Sequence, residues 1–226
     1  MTTKILYGIA HVVLLALSVV TLGASRASAA QPKVLLLITD EHNFRTLGCY
    51  RRLMAREQAQ MWGIGAIVPT PHIDEIAKDG VICTRAYATS PVCTPCRAAI
   101  FTGRYPHATG APKNNLTLDR SIPTIADRLN EAGYRTGYFG KWHLAGEGKP
   151  EWSPSVDGGF QSKAFMFNRG HWKKFVITDG APAVGAVRNG EPNYGLDGAD
   201  ERSFATDWLT DRAMDYIGDG SEEQPF

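Results

Sequence analysis

Very little of this chain is spent on one sign of charge or on cysteine. Its 226 residues carry 24 Lys+Arg against 23 Asp+Glu, a formal net charge of +1. That balance offers no basic face for nucleic acid and no cationic patch for an anionic membrane. A chain this long with only four cysteines does not need a disulfide framework to fold, and the count alone settles nothing. Cys49, Cys83, Cys93 and Cys96 would allow three pairings if oxidised. No second C-x-x-C and no matching pair of histidines accompanies Cys93 and Cys96, so a structural zinc site is excluded. No internal repeat is visible, which removes solenoids and propellers.

The one long apolar run is at the start. Ile5 to Leu22 follows Lys4 and is broken only by Gly8, His11, Ser18 and Thr21, and Ala27-Ser28-Ala29 supplies small residues for cleavage. Residues 1–30 therefore read as a signal peptide, with export to the periplasm or the medium and no membrane association after cleavage. The uncleaved alternative is a membrane anchor. No cysteine follows the run to carry a lipid.

The mature chain alternates strand and helix signals. Val34-Leu35-Leu36-Leu37-Ile38-Thr39 is a continuous apolar run that reads as a buried parallel strand, with Asp40 and Glu41 at its carboxyl end. Pro69 to Gly80 predicts a helix, Val81 to Tyr87 a second strand, and Ser121 to Gly133 another helix. Arg135 to Phe139 predicts a short strand ending at Gly140-Lys141-Trp142-His143-Leu144, and Ser203 to Ile217 a last helix. Gly146 to Gly198 has no sustained period and reads as long excursions over the active face. The fold class is α/β, a parallel sheet with sites at strand ends. The polar turn before Pro225-Phe226 reads as the approach to another strand, so the sheet is expected to be C-terminally truncated.

Chemistry concentrates in Cys93-Thr94-Pro95-Cys96-Arg97. A thiol at a helix start sits where the dipole favours negative charge, and Arg97 adds a planar donor fork suited to tetrahedral oxyanions. A C-x-x-C redox pair or a disulfide is the competing reading. Lys141 and His143 alternate, so both side chains point to one side of an extended segment. Trp142, Trp152, Trp172 and Tyr194 are packing residues or rings that could stack on sugars.

Taken in order, Leu36 to Asp40, Thr70-Pro71-His72-Ile73-Asp74, Ser90 to Arg97, Phe101 to His107 and Gly140 to Leu144 resemble the sulfatases of the alkaline-phosphatase superfamily. The resemblance implies an alkaline-phosphatase-like, mostly parallel sheet with helices on both faces, residues 31–226 forming an incomplete N-terminal catalytic domain. It implies hydrolysis of sulfate esters on a sulfated small molecule or glycan. It further implies that Cys93 is oxidised to formylglycine by a formylglycine-generating enzyme, and that Ca2+ or Mg2+ is held by Asp40, Glu41 and the modified Cys93. Arg97 would position the formylglycine, and Lys141 and His143 would contact sulfate or handle protons. A phosphonate or phosphodiester hydrolase of the same superfamily, or an inactive fragment that only binds, are the alternatives. No later Asp-His-Gly-type motif follows residue 145 to complete a metal site.

Overall fold

The computed structural model describes residues 31–220 and 224–226; the expected signal peptide, residues 1–30, lies outside them. The chain divides after Lys33, and every element below lies in Val34–Phe226. Among the described residues no helix is long and apolar enough to cross a membrane.

Six α-helices are present among the described residues. They are α1 (Gly48–Arg51), α2 (Arg56–Ala59), α3 (Pro71–Asp79), α4 (Cys93–Thr102), α5 (Ile125–Glu131) and α6 (Ala205–Gly218). The longer ones form where the sequence signals stand. Pro71 opens α3, where its missing N–H costs nothing. Gly103 closes α4 in the left-handed conformation and donates its N–H to Ala99. The α5 helix begins later than Ser121, because Thr124 and Asp127 form a capping box there.

Strands are short and paired in twos. β1 (Gly140–Lys141) runs parallel to β2 (Met166–Phe167), with Gly140 opposite Met166. Bonds in the same sense extend this ladder, from Tyr138 N–H to Ser162 O and from His143 N–H to Asn168 O. Within the stretch expected to be formless, β3 (Phe175–Thr178) and β4 (Ala181–Val184) make an antiparallel hairpin, as do β5 (Val187–Arg188) and β6 (Glu191–Pro192). Their turns are Asp179-Gly180 and Asn189-Gly190, both residues of each at positive φ. That is the turn whose twist matches antiparallel strands.

Among the described residues two expected strands are absent, and a third, Arg135 to Phe139, is reduced to a single bridge at Gly137. Val34 to Thr39 is extended but joins no ladder, and Leu37 is 70% exposed rather than buried. A parallel strand buried on both faces needs a bonded neighbour on each side. Here Val34 N–H reaches Phe226 O, Arg135 N–H reaches Pro225 O, and a groove of about 600 Å³ separates the two stretches. Val81 to Tyr87 is likewise exposed coil, with Val81 and Tyr87 almost fully in solvent.

The core lies behind β1 and β2. Trp142, Leu144 and Met166 are fully buried and pack with Ala98 and Phe101 of α4, with Ala111 and with Leu118. A second cluster joins Phe167, Phe175 and Trp172 to Ala205 and Trp208 of α6. Lys141 and His143 therefore alternate with Trp142, which anchors the segment to the core. Trp142 is fixed further by its indole N–H to Val156 O, at 2.6 Å.

Gly158 lies at φ 64°, and a Cβ there would come within 2.5 Å of the Trp142 ring, while Gly180 at φ 78° faces open space. Gly180→Ala is expected to cost about 1 kcal/mol, the left-handed penalty alone. Gly158→Ala adds overpacking against a rigid ring and is expected to cost roughly 1–3 kcal/mol more. Urea unfolding of both variants checks this, and equal losses would mean that Trp142 gives way freely.

Candidate active site

Cys93 is the first residue of α4, and nothing in the side chain of Val92 caps that helix. The cap comes from elsewhere in the chain: Asn114 Oδ1 accepts the Thr94 N–H at 3.0 Å. Thr94 is fully buried, donates its hydroxyl to His143 O at 2.9 Å and accepts the Asn115 N–H at 3.3 Å. The helix start is thus tied both to the loop before α5 and to the segment after β1.

Arg97, one turn further on, is buried. Its Nη1 donates to Lys141 O at 2.6 Å and to the Tyr138 hydroxyl at 3.2 Å. Tyr138 donates in turn to Lys141 O at 2.5 Å, and burial, opposed by the Arg97 charge, pushes its pKa up to about 12. The other face of the guanidinium lies 3.7 Å from Asp40 Oδ1.

Lys141 Nζ bonds Asp40 Oδ2 at 2.7 Å and lies 3.6 Å from Cys93 Sγ. Burial pushes the Asp40 carboxyl up, but the Lys141 bond and charge, with Arg97 and His171, outweigh it and hold it below the usual value. Asp40, Cys93, Arg97 and Lys141 are thereby brought together. Cys93 and Cys96 are both free thiols.

His143 is 7% exposed and sits at φ 59°, outside the usual range for a non-glycine residue. Its Nε2 is 2.9 Å from Asn115 Oδ1, and its Nδ1 is buried without a hydrogen-bond partner among the described residues. Burial, then the charges of Lys141, Arg97 and Arg169, lower its pKa to about 4. The ring is neutral at pH 7.

Glu41 stands apart: it is exposed, at φ 50°, and no ion pair joins it to the cluster. Among the described residues, no three His, Cys, Asp or Glu side chains gather as a metal would require. Asp40 is the one carboxylate in the cluster, and both its oxygens face cations. These donors do not by themselves make a divalent-cation site, which calls for about six oxygens.

Sequence reasoning missed Thr94, Asn114, Asn115 and Tyr138 as parts of this site. Asn-Asn in a polar loop reads only as a turn, and Tyr138 reads only as a strand residue. Their partners lie between 3 and 49 positions away along the chain, at distances no local pattern encodes.

The pH dependence of stability follows from His143. The folded state holds this ring neutral down to about pH 4, whereas the unfolded chain protonates it near 6.5. Its contribution is therefore complete above pH 6.5 and is lost as the pH falls from 6.5 towards 4. Urea midpoints between pH 7.5 and 4.5 are expected to fall more steeply for the wild type than for His143→Gln. Parallel slopes would show that His143 titrates normally.

Comparison with known proteins identifies the family. The sulfatase family profile matches residues 32–226. An N-acetylglucosamine-6-O-sulfatase of Bacteroides thetaiotaomicron is 29% identical over 198 residues, 87% of this chain and 29% of that protein. An N-acetylgalactosamine-6-O-sulfatase of the same organism is 37% identical over 181 residues, 75% of this chain and 31% of its own length. This chain thus spans about a third or less of the curated relatives it matches. A protein solved in complex with its substrate D-glucosamine-2-N,6-O-disulfate aligns at TM-score 0.57 with 26% identity, covering 87% of this chain and 33% of that one. A second solved structure, from glycosaminoglycan metabolism in Bacteroides thetaiotaomicron, aligns at TM-score 0.59 with 19% identity over 80% of this chain and 40% of its own, which speaks for the shared fold. With the family profile spanning all but the first residues, the chain belongs to the sulfatase family, on an alkaline-phosphatase-like α/β fold.

Proposed function

We propose that the protein hydrolyses sulfate esters, with Cys93 as the precursor of the nucleophile and sulfated sugars as the substrate class. The observation that carries this reading is the charge around Cys93. Two buried cations, Arg97 and Lys141, face one carboxylate, and His143 is neutral. The pocket therefore keeps about one uncompensated positive charge. A sulfate monoester carries one negative charge and matches it.

The Sγ of Cys93 stands where the hydroxyls of a hydrated formylglycine would lie. That group, when formed, would supply two hydroxyls on one carbon, the first to displace the alcohol from sulfur by breaking its S–O bond and the second, on losing its proton, to expel sulfate as the aldehyde re-forms. The rest is the work of the chain's own residues. Lys141, 3.6 Å from Sγ, is placed to donate to negative charge developing at that position. Arg97 holds the carboxyl end of β1 against α4, so Lys141 and Cys93 keep their spacing. His143, its pKa lowered to about 4, adds no positive charge beside Lys141 and Arg97 at pH 7. Asp40 offers one hard oxygen to Ca2+ or Mg2+. Further oxygen ligands would have to join it.

Sugar sulfates are favoured because the two Bacteroides thetaiotaomicron relatives act, by name, on sulfated amino sugars. The pattern of residues 1–30 supports export, and a formylglycine-generating enzyme would be the partner during maturation.

Co-expression with a formylglycine-generating enzyme, followed by mass spectrometry of the tryptic peptide beginning at Ala86, is expected to show Cys93 as the aldehyde. An intact thiol under those conditions would overturn the nucleophile. The converted protein is expected to turn over an aryl sulfate, and Cys93→Ala to lower that rate at least about 10³-fold. Preference for an aryl phosphonate over the sulfate would move the assignment to the phosphonate and phosphodiester branch, whose substrates also carry one negative charge.

A further inference from the structure

His143 is held more tightly than a side chain needs for packing alone. Its N–H donates to Asn168 O at 2.5 Å, its carbonyl accepts from Thr94, and its ring meets Asn115. A neutral imidazole has two tautomers, and burial does not choose between them. The residue opposite Nε2 does. Asn115 presents its carbonyl oxygen at 2.9 Å, an acceptor that pairs only with a protonated Nε2. Nδ1, buried and without a partner among the described residues, is then the bare lone pair.

We propose that Asn115 is a positioning residue, fixing His143 in the tautomer with the proton on Nε2 and the lone pair on Nδ1. The usual account of an asparagine at φ 64° is a turn. That account explains the backbone but not the side chain. A turn asparagine spends its side chain on its own backbone within a few residues, whereas Asn115 spends it on a ring 28 positions away. Its backbone N–H is used as well, on the Thr94 hydroxyl that in turn bonds His143 O. The same residue therefore holds both the imidazole and, through Thr94, the backbone that carries it. Asn114 completes the arrangement by capping α4 one residue after Cys93.

One hydrogen bond of ordinary strength biases a tautomer equilibrium about fivefold. The inference rests on the sulfate-ester reading only for the use to which the Nδ1 lone pair is put. The tautomer itself is a property of this chain and can be read without turnover.

The test is a long-range ¹H–¹⁵N correlation spectrum of the histidine rings in the 226-residue chain, for wild type, Asn115→Leu and Asn115→Asp. Wild-type His143 is expected as a single neutral form protonated at Nε2. Asn115→Leu is expected to lower the Nε2–H to Nδ1–H ratio about fivefold, with the Thr94 amide signal reporting that α4 is still folded. Asn115→Asp keeps an oxygen at the same place but makes it anionic. The pH at which His143 gains its second proton should then rise from about 4 by about one to three pH units. A wild-type ring protonated at Nδ1 overturns the proposal with no variant needed. So does a folded Asn115→Leu with an unchanged ratio, or an Asn115→Asp that leaves the protonation pH where it was. Should Asn115→Leu unfold, the wild-type spectrum and Asn115→Asp decide. A protein that shows the expected tautomer but hydrolyses no sulfate ester would sink the function and leave this inference standing.

Discussion

Everything in this site depends on where a buried guanidinium finds its partners. Arg97 sits in the first turns of α4 with its side chain 7% exposed, and an unpaired charge there would cost several kcal/mol. It is satisfied by Lys141 O, by the Tyr138 hydroxyl and by the nearby Asp40 carboxylate. Each of those partners belongs to a different stretch of chain from α4. Satisfying one charge therefore fixes the helix that starts at Cys93 against the end of β1. Lys141 is set beside Sγ as a consequence, because its own carbonyl is what Arg97 grips.

The residues proposed to do chemistry were legible because chemistry restricts residue type. A thiol at a helix start, an arginine one turn on, and a lysine and histidine in alternation around a tryptophan survive as a pattern at any resolution of reasoning. Trp142 is fully buried between them, but the extended alternation stops at His143, which adopts φ 59° and turns its ring to Asn115. The Asp-Gly and Asn-Gly hairpins were also written in the sequence, and were obscured only by the long glycine-rich stretch around them. The residues that hold the chemistry in place were not legible. Asn115 meets His143 across 28 positions and Thr94 meets it across 49, and no period or propensity encodes such pairings. The run from Val34 to Ile38 misled for a physical reason. Hydrophobicity reports what a strand could bury, and burial also needs neighbours in the sheet.

Backbone strain gathers where these long-range contacts meet. Asn115 and His143 both adopt left-handed conformations, and they touch each other through their side chains. Neither geometry is cheap for a residue with a Cβ, and such conformations persist where the surroundings over-determine them. Here the over-determination is visible, since His143 is bound at its N–H, its carbonyl and its ring. The strain at His143 also explains its direction. An extended residue after Trp142 would carry the chain straight past the site, whereas the left-handed turn lets its carbonyl meet Thr94.

The two walls of the site are consequently held by different forces. Cys93, Arg97, Lys141 and His143 are fixed by helix, ladder and buried hydrogen bonds, which salt screens little. Asp40 follows a stretch that joins no ladder, and it is a third exposed. Its place is set by two ion pairs, to Lys141 at 2.7 Å and to Arg97 at 3.7 Å. Partly exposed pairs are weak and are screened by salt. The carboxylate side is therefore the yielding side. An anion entering between Lys141 and Asp40 would compete for the same ammonium, and a cation drawn to Asp40 would release that ammonium to face the anion. The ion pair between Lys141 and Asp40 is thus the contact in this site most open to competition from either kind of ion, and Lys141 is the residue over which they would compete.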